Sequence, residues 1–342
     1  MERKEYKVAV VGATGAVGRE MVSILQERDF PVAELRLLAS PKSLGEGVEF
    51  KGKDIPVQTI GYDTFDGIEI VLLAAGSTVS KEVAPKACER GALVIDNSSA
   101  FRRMPEIPLT VPEVNEKTLH ELCAKRKGAK GLLVANPNCS TIQLVVALNP
   151  LKQAYGLNRV IVSSYQSVSG AGQKGIRELS EQSRSLFSMQ EMGAPEIFPA
   201  PIAFNCIPQI GSFDQTGYSE EEDKIMFETK KILEDQTLAV AATAVRVPVF
   251  HTHSESVYVE LKKDVPLAEI IEMLRKAQGI VLDESQYPMP RDVAGADAVY
   301  VGRVRKDPSN PLGVHFWVVA DNLRKGAALN AVQIAESALK YL

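Results

Sequence analysis

One cysteine of this chain stands where a helix is expected to begin. Cys139 follows the apolar residues 131–135, which predict a buried strand. Residues 142–148 predict a helix, with Asn138 or Ser140 as its N-cap. At such a junction the helix dipole and unpaired backbone N–H groups favour the thiolate, which is the nucleophilic form of cysteine. The position predicts covalent catalysis by Cys139, although a buried structural cysteine would fit the pattern equally well.

A second signature is a run of glycines near the N-terminus. The apolar residues 6–11 predict a strand, residues 12–18 follow with the spacing G-x-x-G-x-x-G, and residues 19–25 continue at helical spacing. This order is typical of a dinucleotide-binding fold, because glycines such as Gly12 allow a tight turn and a close approach of phosphate to the helix N-terminus. An ordinary glycine-rich turn is the alternative.

The end of the next predicted strand indicates which dinucleotide binds. Residues 34–39 run into Ser40, Pro41, Lys42 and Ser43, where an NAD site would usually carry an acidic residue for the ribose 2′-hydroxyl. Two hydroxyls and a cation can instead bind a 2′-phosphate. We therefore predict NADP, with Ser40, Lys42 and Ser43 as contacts, although a solvated turn would have a similar composition.

Strands and helices alternate through the first part of the chain. Residues 68–75 and 92–96 predict strands on either side of a helix at 79–90. Such alternation predicts a parallel sheet that binds ligands at the carboxyl ends of its strands. Gly76 and residues 97–99 lie at such ends, so Gly76 is a further candidate cofactor contact.

Beyond the cysteine the pattern changes to strands with fewer helices between them. Helices are predicted at 173–189 and 219–233, and strands are predicted at 160–168, 240–249, 256–261, 299–305 and 314–320. This succession predicts a mixed, mostly antiparallel sheet. The amphipathic residues 327–342 are expected to pack back on the first domain.

Composition excludes several classes of protein. The 342 residues are 45% hydrophobic and can bury the cores of two domains. A formal net charge of −4 argues against nucleic-acid binding. No apolar run reaches the ~20 residues that span a bilayer, and the charged start is unlike a signal peptide. The four cysteines have neither disulfide nor zinc spacing, so we expect no metal and a cytoplasmic location.

The thiol needs a proton-transfer partner, and two histidines are close together in the sequence. If residues 245–253 formed one strand, His251 and His253 would share a face, and Arg246 would lie on the opposite face from His253. A turn or bulge near Pro248 would be needed to bring Arg246 and His253 together. A neutral imidazole near Cys139 would suit proton transfer.

Together these motifs resemble the bacterial NADP-linked aspartate-semialdehyde dehydrogenases. The matching segments keep their order and spacing and are residues 12–18, 98–102, 111–115, 136–141, 164–172, 221–224, 246–255 and 321–327. The resemblance implies the α/β class, with a Rossmann-like dinucleotide-binding domain and a second α+β domain, as in glyceraldehyde-3-phosphate dehydrogenase. The limits we predict are 1–134 with 323–342 for the NADP-binding domain, and 135–322 for the catalytic and dimerisation domain.

The resemblance also implies roles for individual residues. Cys139 would be the nucleophile, His253 rather than His251 the acid–base group, and Gln166 the residue that orients the acyl intermediate. The substrate-binding residues would be Glu221 and Arg246 for the amino-acid end, and Arg102, Asn138 and Lys224 for phosphate. A misregister of one place would give the role of Arg102 to Arg103. The implied cofactor contacts are Thr14, Gly15, Ala16, Val17, Ser169, Gly170 and Asn322.

The activity implied is the reductive dephosphorylation of L-aspartyl 4-phosphate to L-aspartate 4-semialdehyde with NADPH. It would proceed through a cysteine thioester in lysine, threonine and methionine biosynthesis, in a homodimer whose other partners are small molecules. Two alternatives stay open: an N-acetyl-γ-glutamyl-phosphate reductase, and a catalytically inactive dinucleotide-binding redox sensor.

Overall fold

The computed structural model describes residues 4–61, 63–125, 131–284 and 287–341. The chain divides into two compact units, Met1–Pro137 with Ala327–Leu342, and Asn138–Gly326. Each unit has its own sheet and its own hydrophobic core. Among the described residues, no helix combines the length and the apolar character that a membrane crossing requires.

The strands are β1 Tyr6–Val11, β2 Val32–Ala39, β3 Gly47–Phe50, β4 Lys53–Thr59, β5 Ile70–Leu73, β6 Leu93–Asp96, β7 Leu132–Ala135, β8 Leu157–Gln166, β9 Ala239–Arg246, β10 His253–Leu261, β11 Ile280–Asp283, β12 Val299–Lys306 and β13 Gly313–Ala320. The α-helices are α1 Ala16–Glu27, α2 Ser77–Glu89, α3 Pro112–Lys125, α4 Cys139–Tyr155, α5 Gly172–Phe187, α6 Glu220–Ile232, α7 Leu267–Lys276, α8 Pro290–Val293 and α9 Leu329–Ala338.

The first unit is a doubly wound sheet in the order β3-β4-β2-β1-β5-β6-β7. All neighbouring strands pair in parallel except β3 and β4. The four residues of β5 are apolar and fully buried, as expected of a parallel strand that is covered on both faces. Because β1 lies between β2 and β5, the carboxyl ends of β1 and β5 form the switch point at which such sheets bind ligands.

The second unit contains a six-stranded sheet in the order β11-β12-β13-β10-β8-β9. Three of its pairings are antiparallel and the two edge pairings are parallel, so the mixed, mostly antiparallel sheet is confirmed. Along β8, Val160 and Val162 are buried on the face that packs against α4. Ile161 and Tyr165 alternate with them on the other face and are 42% and 37% exposed.

The segment that carries Arg246 and His253 differs from the sequence prediction. β9 ends at Arg246 rather than continuing to residue 249, and β10 begins at His253 rather than at residue 256. Arg246 and His253 therefore lie on different strands, and residues 247–252 form the connection. The chain thus leaves the strand around Pro248, which is the turn rather than the bulge of the two alternatives that the sequence allowed. Strand alternation therefore does not place the two side chains on opposite faces.

Candidate active site

Cys139 is half-buried and is the first residue of α4, as its position in the sequence predicts. Asn138 is the N-cap, because its Oδ1 accepts hydrogen bonds from the backbone N–H groups of Ser140 at 3.0 Å and Thr141 at 3.3 Å. Of the two N-caps that the sequence allows, Asn138 is thus the one used. The sulfur stands at the positive end of the helix dipole, which favours the thiolate.

The imidazole of His253 faces this sulfur. Its Nε2 lies 3.2 Å from Cys139 Sγ, while its Nδ1 accepts a hydrogen bond from the backbone N–H of Ser167 at 3.1 Å. Since Nδ1 is an acceptor, we assign the ring proton to Nε2, which can then donate to the sulfur. Burial, reinforced by the positive charge of Arg246, lowers the pKa of His253 from 6.5 to about 3. The ring is therefore neutral at ordinary pH.

A group of buried charges lies on α6 and at the end of β9. Glu221 accepts a hydrogen bond from Asn138 Nδ2 at 2.8 Å and forms an ion pair with Lys224 at 3.3 Å. Burial alone would raise the pKa of Glu221, but Lys224, Asn138 and Arg246 outweigh burial and hold it below its usual value. Arg246 is 6% exposed and donates from Nη1 to the Ser167 carbonyl at 2.7 Å.

Gln166 and Gly170 border the same group. Gln166, the last residue of β8, is buried and donates to Ser164 Oγ at 3.3 Å. A Cβ on Gly170 would lie 2.9 Å from Arg246 Nη1 and 3.4 Å from His253 Cε1. Glycine at position 170 therefore allows the backbone to approach both of these side chains.

The side chain of Asn322 forms hydrogen bonds with two other segments of the second unit, at residues 167–169 and at Thr252. Its Oδ1 accepts hydrogen bonds from Ser169 Oγ at 3.0 Å, Ser167 Oγ at 3.2 Å and the backbone N–H of Thr252 at 2.9 Å. Thr252 has a φ of 69°, which is strained for a β-branched residue and directly precedes His253. Asn322 thus holds the unusual backbone conformation from which His253 enters its strand.

In the first unit, two helix N-termini lie at the switch point of the sheet. Gly15 and Gly76 are the N-caps of α1 and α2, and neither helix has a side-chain cap. Gly12 has a φ of 83°, and a Cβ there would lie 2.6 Å from the Ala74 carbonyl oxygen. These features fit a dinucleotide whose phosphates bind to helix N-termini. The other predicted contacts on this loop and the first turn of α1 are Thr14, Ala16 and Val17.

The predicted 2′-phosphate site also belongs to the first unit. Ser40 and Lys42 are exposed at the end of β2, and Ser43 Oγ lies 3.2 Å from Thr14 Oγ1. Residues 40–43 contain no carboxylate that would repel a phosphate.

Arg102 and its neighbour have different environments in the first unit. Arg102 is 8% exposed and donates from Nη2 to the Asn97 carbonyl at 2.7 Å, whereas Arg103 is exposed. The choice of Arg102 over Arg103 as a phosphate ligand stays a prediction. The predicted residues that belong to the second unit are Asn138, Cys139, Gln166, Ser169, Gly170, Glu221, Lys224, Arg246, His253 and Asn322.

Two residues that contact the site in the second unit, Ser167 and Glu228, are not among those predicted from the sequence. Ser167 contributes a backbone N–H and a backbone carbonyl, which no side-chain pattern marks. Glu228 accepts a hydrogen bond from the backbone N–H of Asn138, and its position seven residues after Glu221 on a predicted helix could have indicated a shared face. Within the described ranges, no group of three or more His, Cys, Asp or Glu residues could hold a metal ion.

Two family profiles match the chain, one in each part of the sequence. Residues 7–122 match the semialdehyde dehydrogenase NAD binding domain, and residues 148–325 match the semialdehyde dehydrogenase dimerisation domain. These matches confirm a dinucleotide-binding domain followed by a second domain.

Known proteins are similar to the chain over nearly its full length. Aspartate-semialdehyde dehydrogenase of Bacillus subtilis is 51% identical and that of Aquifex aeolicus is 48% identical, covering 97% and 98% of both chains respectively. The crystal structure of aspartate semialdehyde dehydrogenase II from Vibrio cholerae, complexed with ASA, has a TM-score of 0.93, 46% identity and 99% coverage of both chains.

A more distant structure is that of the Candida albicans aspartate semialdehyde dehydrogenase with NADP. It has a TM-score of 0.76 and 25% identity, and covers 98% of this chain and 99% of that one. The profiles, the relatives and the structures agree with one another. The chain belongs to the aspartate-semialdehyde dehydrogenase family.

Proposed function

We propose that this chain catalyses the NADPH-dependent reductive dephosphorylation of L-aspartyl 4-phosphate to L-aspartate 4-semialdehyde, a step of lysine, threonine and methionine biosynthesis. The observation that carries the proposal is the pairing of Cys139 Sγ with His253 Nε2 at 3.2 Å, at a helix N-terminus. Both the dipole and the Nε2–H group stabilise a thiolate there.

The first chemical step is attack of the Cys139 thiolate on the acyl carbon of the substrate. A carbon–sulfur bond forms, the carbon–oxygen bond to phosphate breaks, and a thioester results. We propose that Lys224, Asn138 and Arg102 bind the departing phosphate. In the second unit, Lys224 supplies a positive charge and Asn138 a side-chain amide donor, and both groups lie within hydrogen-bond distance of Glu221.

The amino-acid end of the substrate requires one cation and one anion. The planar guanidinium of Arg246 can form two parallel hydrogen bonds to the α-carboxylate. Glu221, whose pKa is lowered despite burial, stays charged and can pair with the α-ammonium group. A free amino acid satisfies both groups, whereas an N-acetylated substrate has no ammonium for Glu221. This pairing favours aspartyl phosphate over N-acetyl-γ-glutamyl phosphate.

The cofactor we propose is NADP, held on the glycine loop by Gly12, Thr14, Gly15, Ala16 and Val17. Ser40, Lys42 and Ser43 would bind its 2′-phosphate, and Gly76, Ser169, Gly170 and Asn322 are further contacts. When bound, the cofactor supplies the hydride that reduces the thioester. His253 then donates a hydrogen bond from Nε2 to the oxyanion of the hemithioacetal and keeps its proton. When this oxyanion collapses to the aldehyde, the carbon–sulfur bond breaks and the Cys139 thiolate is regenerated.

We further propose that the active form is a homodimer. The outer face of the second sheet is partly exposed and carries two aromatic contacts, Tyr165 with Trp317 at 5.6 Å and Tyr258 with His315 at 4.8 Å. Because the dimerisation-domain profile covers this sheet, we assign a second copy of the chain to this face. Sedimentation should show a dimer, and Ile161→Asp should shift it toward monomer. A monomeric parent chain would reject the assignment.

A spectrophotometric assay tests the activity. With aspartate semialdehyde and NADP, NADPH should accumulate beyond one equivalent per active site only when phosphate is present. Cys139→Ser should abolish NADPH formation while retaining NADPH binding. N-acetylglutamate semialdehyde and NAD are the comparison substrates. A faster reaction with the acetylated aldehyde would favour the reductase alternative, and a folded chain that reacts with neither aldehyde would favour the redox sensor.

A further inference from the structure

Two glutamates of α6 hold the residue that precedes the nucleophile. Glu221 Oε1 accepts a hydrogen bond from the Asn138 side-chain amide at 2.8 Å. Glu228 Oε2 accepts one from the Asn138 backbone N–H at 2.6 Å. The two glutamates are seven residues apart, or about two helical turns, so they project from the same face of α6. Asn138 is therefore held through both its side chain and its backbone.

Glu228 is one of the most buried charged residues in the second unit. It is 1% exposed, and it contacts neither Arg246 nor His253 by any hydrogen bond that the structure describes for those residues. Burying a carboxyl group is costly unless strong hydrogen bonds compensate for the loss of water. The hydrogen bond to the Asn138 N–H is such a bond, and it lies one residue before Cys139.

The backbone N–H of Asn138 has no partner inside α4, because the N-cap lies outside the ladder of helical hydrogen bonds. Glu228 supplies that partner. Asn138 Oδ1 in turn caps the N–H groups of Ser140 and Thr141, so a shift of Asn138 would disturb the first turn of α4. Cys139 lies inside this turn, and its sulfur must stay 3.2 Å from His253 Nε2.

We propose that Glu228 is a positioning residue for the nucleophile. Its carboxyl oxygen fixes the Asn138 backbone, and through it the orientation of Cys139 toward His253. This inference rests on the proposed function, because it assumes that the Cys139 thiolate attacks the substrate. Glu228 thus acts on Cys139 through the backbone of Asn138.

The same helix offers a matched control residue. Glu222 is 6% exposed and also accepts two backbone hydrogen bonds, from Ser219 at 2.7 Å and Ala244 at 2.9 Å. Those partners belong to the cap of α6 and to β9 rather than to the first turn of α4. A general loss of stability should therefore follow changes at either glutamate, whereas an effect on Cys139 should follow changes at Glu228 alone.

The test compares Glu228→Gln with Glu228→Leu in the full-length chain. Both replacements are uncharged, so a difference between them reports the lost hydrogen-bond acceptor rather than the lost charge. We expect Glu228→Leu to lower kcat by about 10- to 100-fold, since displacement of a reacting group by about 1 Å can cost that much. Glu228→Gln should stay close to the parent. Alkylation of Cys139 by iodoacetamide should be slower in the Leu variant than in the Gln variant.

Glu222→Leu should lower the melting temperature without changing kcat or the alkylation rate of the folded enzyme. Equal activity in Glu228→Leu and Glu228→Gln would overturn the proposal, as would an equal loss of kcat in Glu222→Leu. If Glu228→Leu does not fold, Glu228→Asp replaces it, because the shorter side chain withdraws the acceptor but keeps the charge. Glu228→Asp should then be less active than Glu228→Gln, and the reverse order would reject the positioning role.

The experiment distinguishes failure of the proposed activity from failure of the positioning role of Glu228. A parent chain that does not oxidise aspartate semialdehyde in the presence of phosphate would reject that function. The alkylation rates would still compare the variants, because iodoacetamide reports the reactivity of Cys139 without any turnover.

Discussion

At the residue scale, the protonation of His253 decides what the thiol–imidazole pair can do. The Ser167 N–H occupies Nδ1, so the single ring proton of the neutral imidazole lies on Nε2, toward the sulfur. Such a ring stabilises a thiolate by donating a hydrogen bond, without adding a second positive charge beside Arg246. The same proton faces the place where the oxyanion of the reaction would form.

We expect the ring of His253 to remain neutral from about pH 5 to pH 8. Burial and the charge of Arg246 lower its pKa to about 3, whereas the unfolded ring gains a proton below its ordinary value of 6.5. The stability linked to the neutral ring is therefore present above pH 6.5 and is lost as the pH falls toward 3. Histidine NMR resonances, assigned with His253→Asn, measure this directly, and a titration midpoint near 6.5 would refute the assignment.

Arg246→Lys tests the proposed recognition of the α-carboxylate. Lysine keeps the positive charge but cannot form two parallel hydrogen bonds. Loss of one charge-assisted hydrogen bond, at about 1.5–3 kcal/mol, should lower kcat/KM for aspartate semialdehyde about 10- to 100-fold. The KM for NADP should stay unchanged. Unaltered steady-state constants for both substrates would exclude this role.

At the element scale, a close approach between two helical segments constrains the position of Cys139. A π-helix at Arg324–Ala328 follows β13, and a Cβ on Gly326 would lie 3.0 Å from Cys139 Cβ. Asp321 fixes the start of this segment by accepting hydrogen bonds from the N–H groups of Leu323 at 2.8 Å and Arg324 at 3.0 Å. Single π-helical turns are frequent at functional sites.

Gly326→Ala should displace the first turn of α4 by a few tenths of an ångström, because the added methyl group meets Cys139 Cβ at an unusually short distance. We expect kcat to fall by about tenfold or more, since activity is sensitive to such misplacement. Gly193→Ala is the matched control, as a Cβ there meets nothing within 4 Å. Equal kcat values in the two variants would show that the close approach does not matter.

The elements that could be predicted from sequence are those in which one pattern dominates. The apolar run ending at Gly12 predicts β1 at its observed bounds, and Asn138 was one of two foreseen caps. The break after Arg246 was missed because residues 247–250 continue the apolar composition of β9. The φ of 69° at Thr252 could not be predicted from local sequence. That conformation depends on a hydrogen bond to Asn322, which is 70 residues away in the chain.

At the scale of the whole molecule, the family resemblance was carried by the order of several short motifs rather than by any one of them. The hairpin of β3 and β4 was not predicted, because both strands alternate exposed residues with few apolar ones and Pro56 interrupts the second. The succession of strands nevertheless predicted the mixed second sheet, which the structure confirms. The resemblance implied the α/β class with a dinucleotide-binding domain, which the profiles and the structure confirm.

The free energy of unfolding should depend on pH through the buried carboxyl group of Glu255. Glu255 is fully buried, and among the described residues neither of its oxygens makes a regular hydrogen bond. Burial raises its pKa well above 4.5, and the amide of Gln143 offsets only part of that rise. Folding therefore favours the protonated acid, so its contribution is full below pH 4.5 and declines as the pH rises toward the folded pKa.

Glu255→Gln should accordingly raise the melting temperature at pH 7 but hardly alter it at pH 4. Each unit by which folding raises the pKa corresponds to about 1.4 kcal/mol of unfolding free energy. We therefore expect the melting temperature of the variant to rise by several degrees at pH 7. Glu181→Gln, at an exposed position, should leave the difference between the two pH values unchanged. If Glu255→Gln instead lowered stability at pH 7, the carboxyl would be ionised and paired.

The covalent intermediate on Cys139 is open to direct detection. Incubation of the enzyme with aspartate semialdehyde and NADP in the absence of phosphate should leave the aspartyl group attached as a thioester, because no acceptor is present to release it. Mass spectrometry of the digested protein should place this adduct on the Cys139 peptide, and added phosphate should discharge it. An adduct on another residue, or turnover without any adduct in the Cys139→Ser variant, would contradict nucleophilic catalysis by this cysteine.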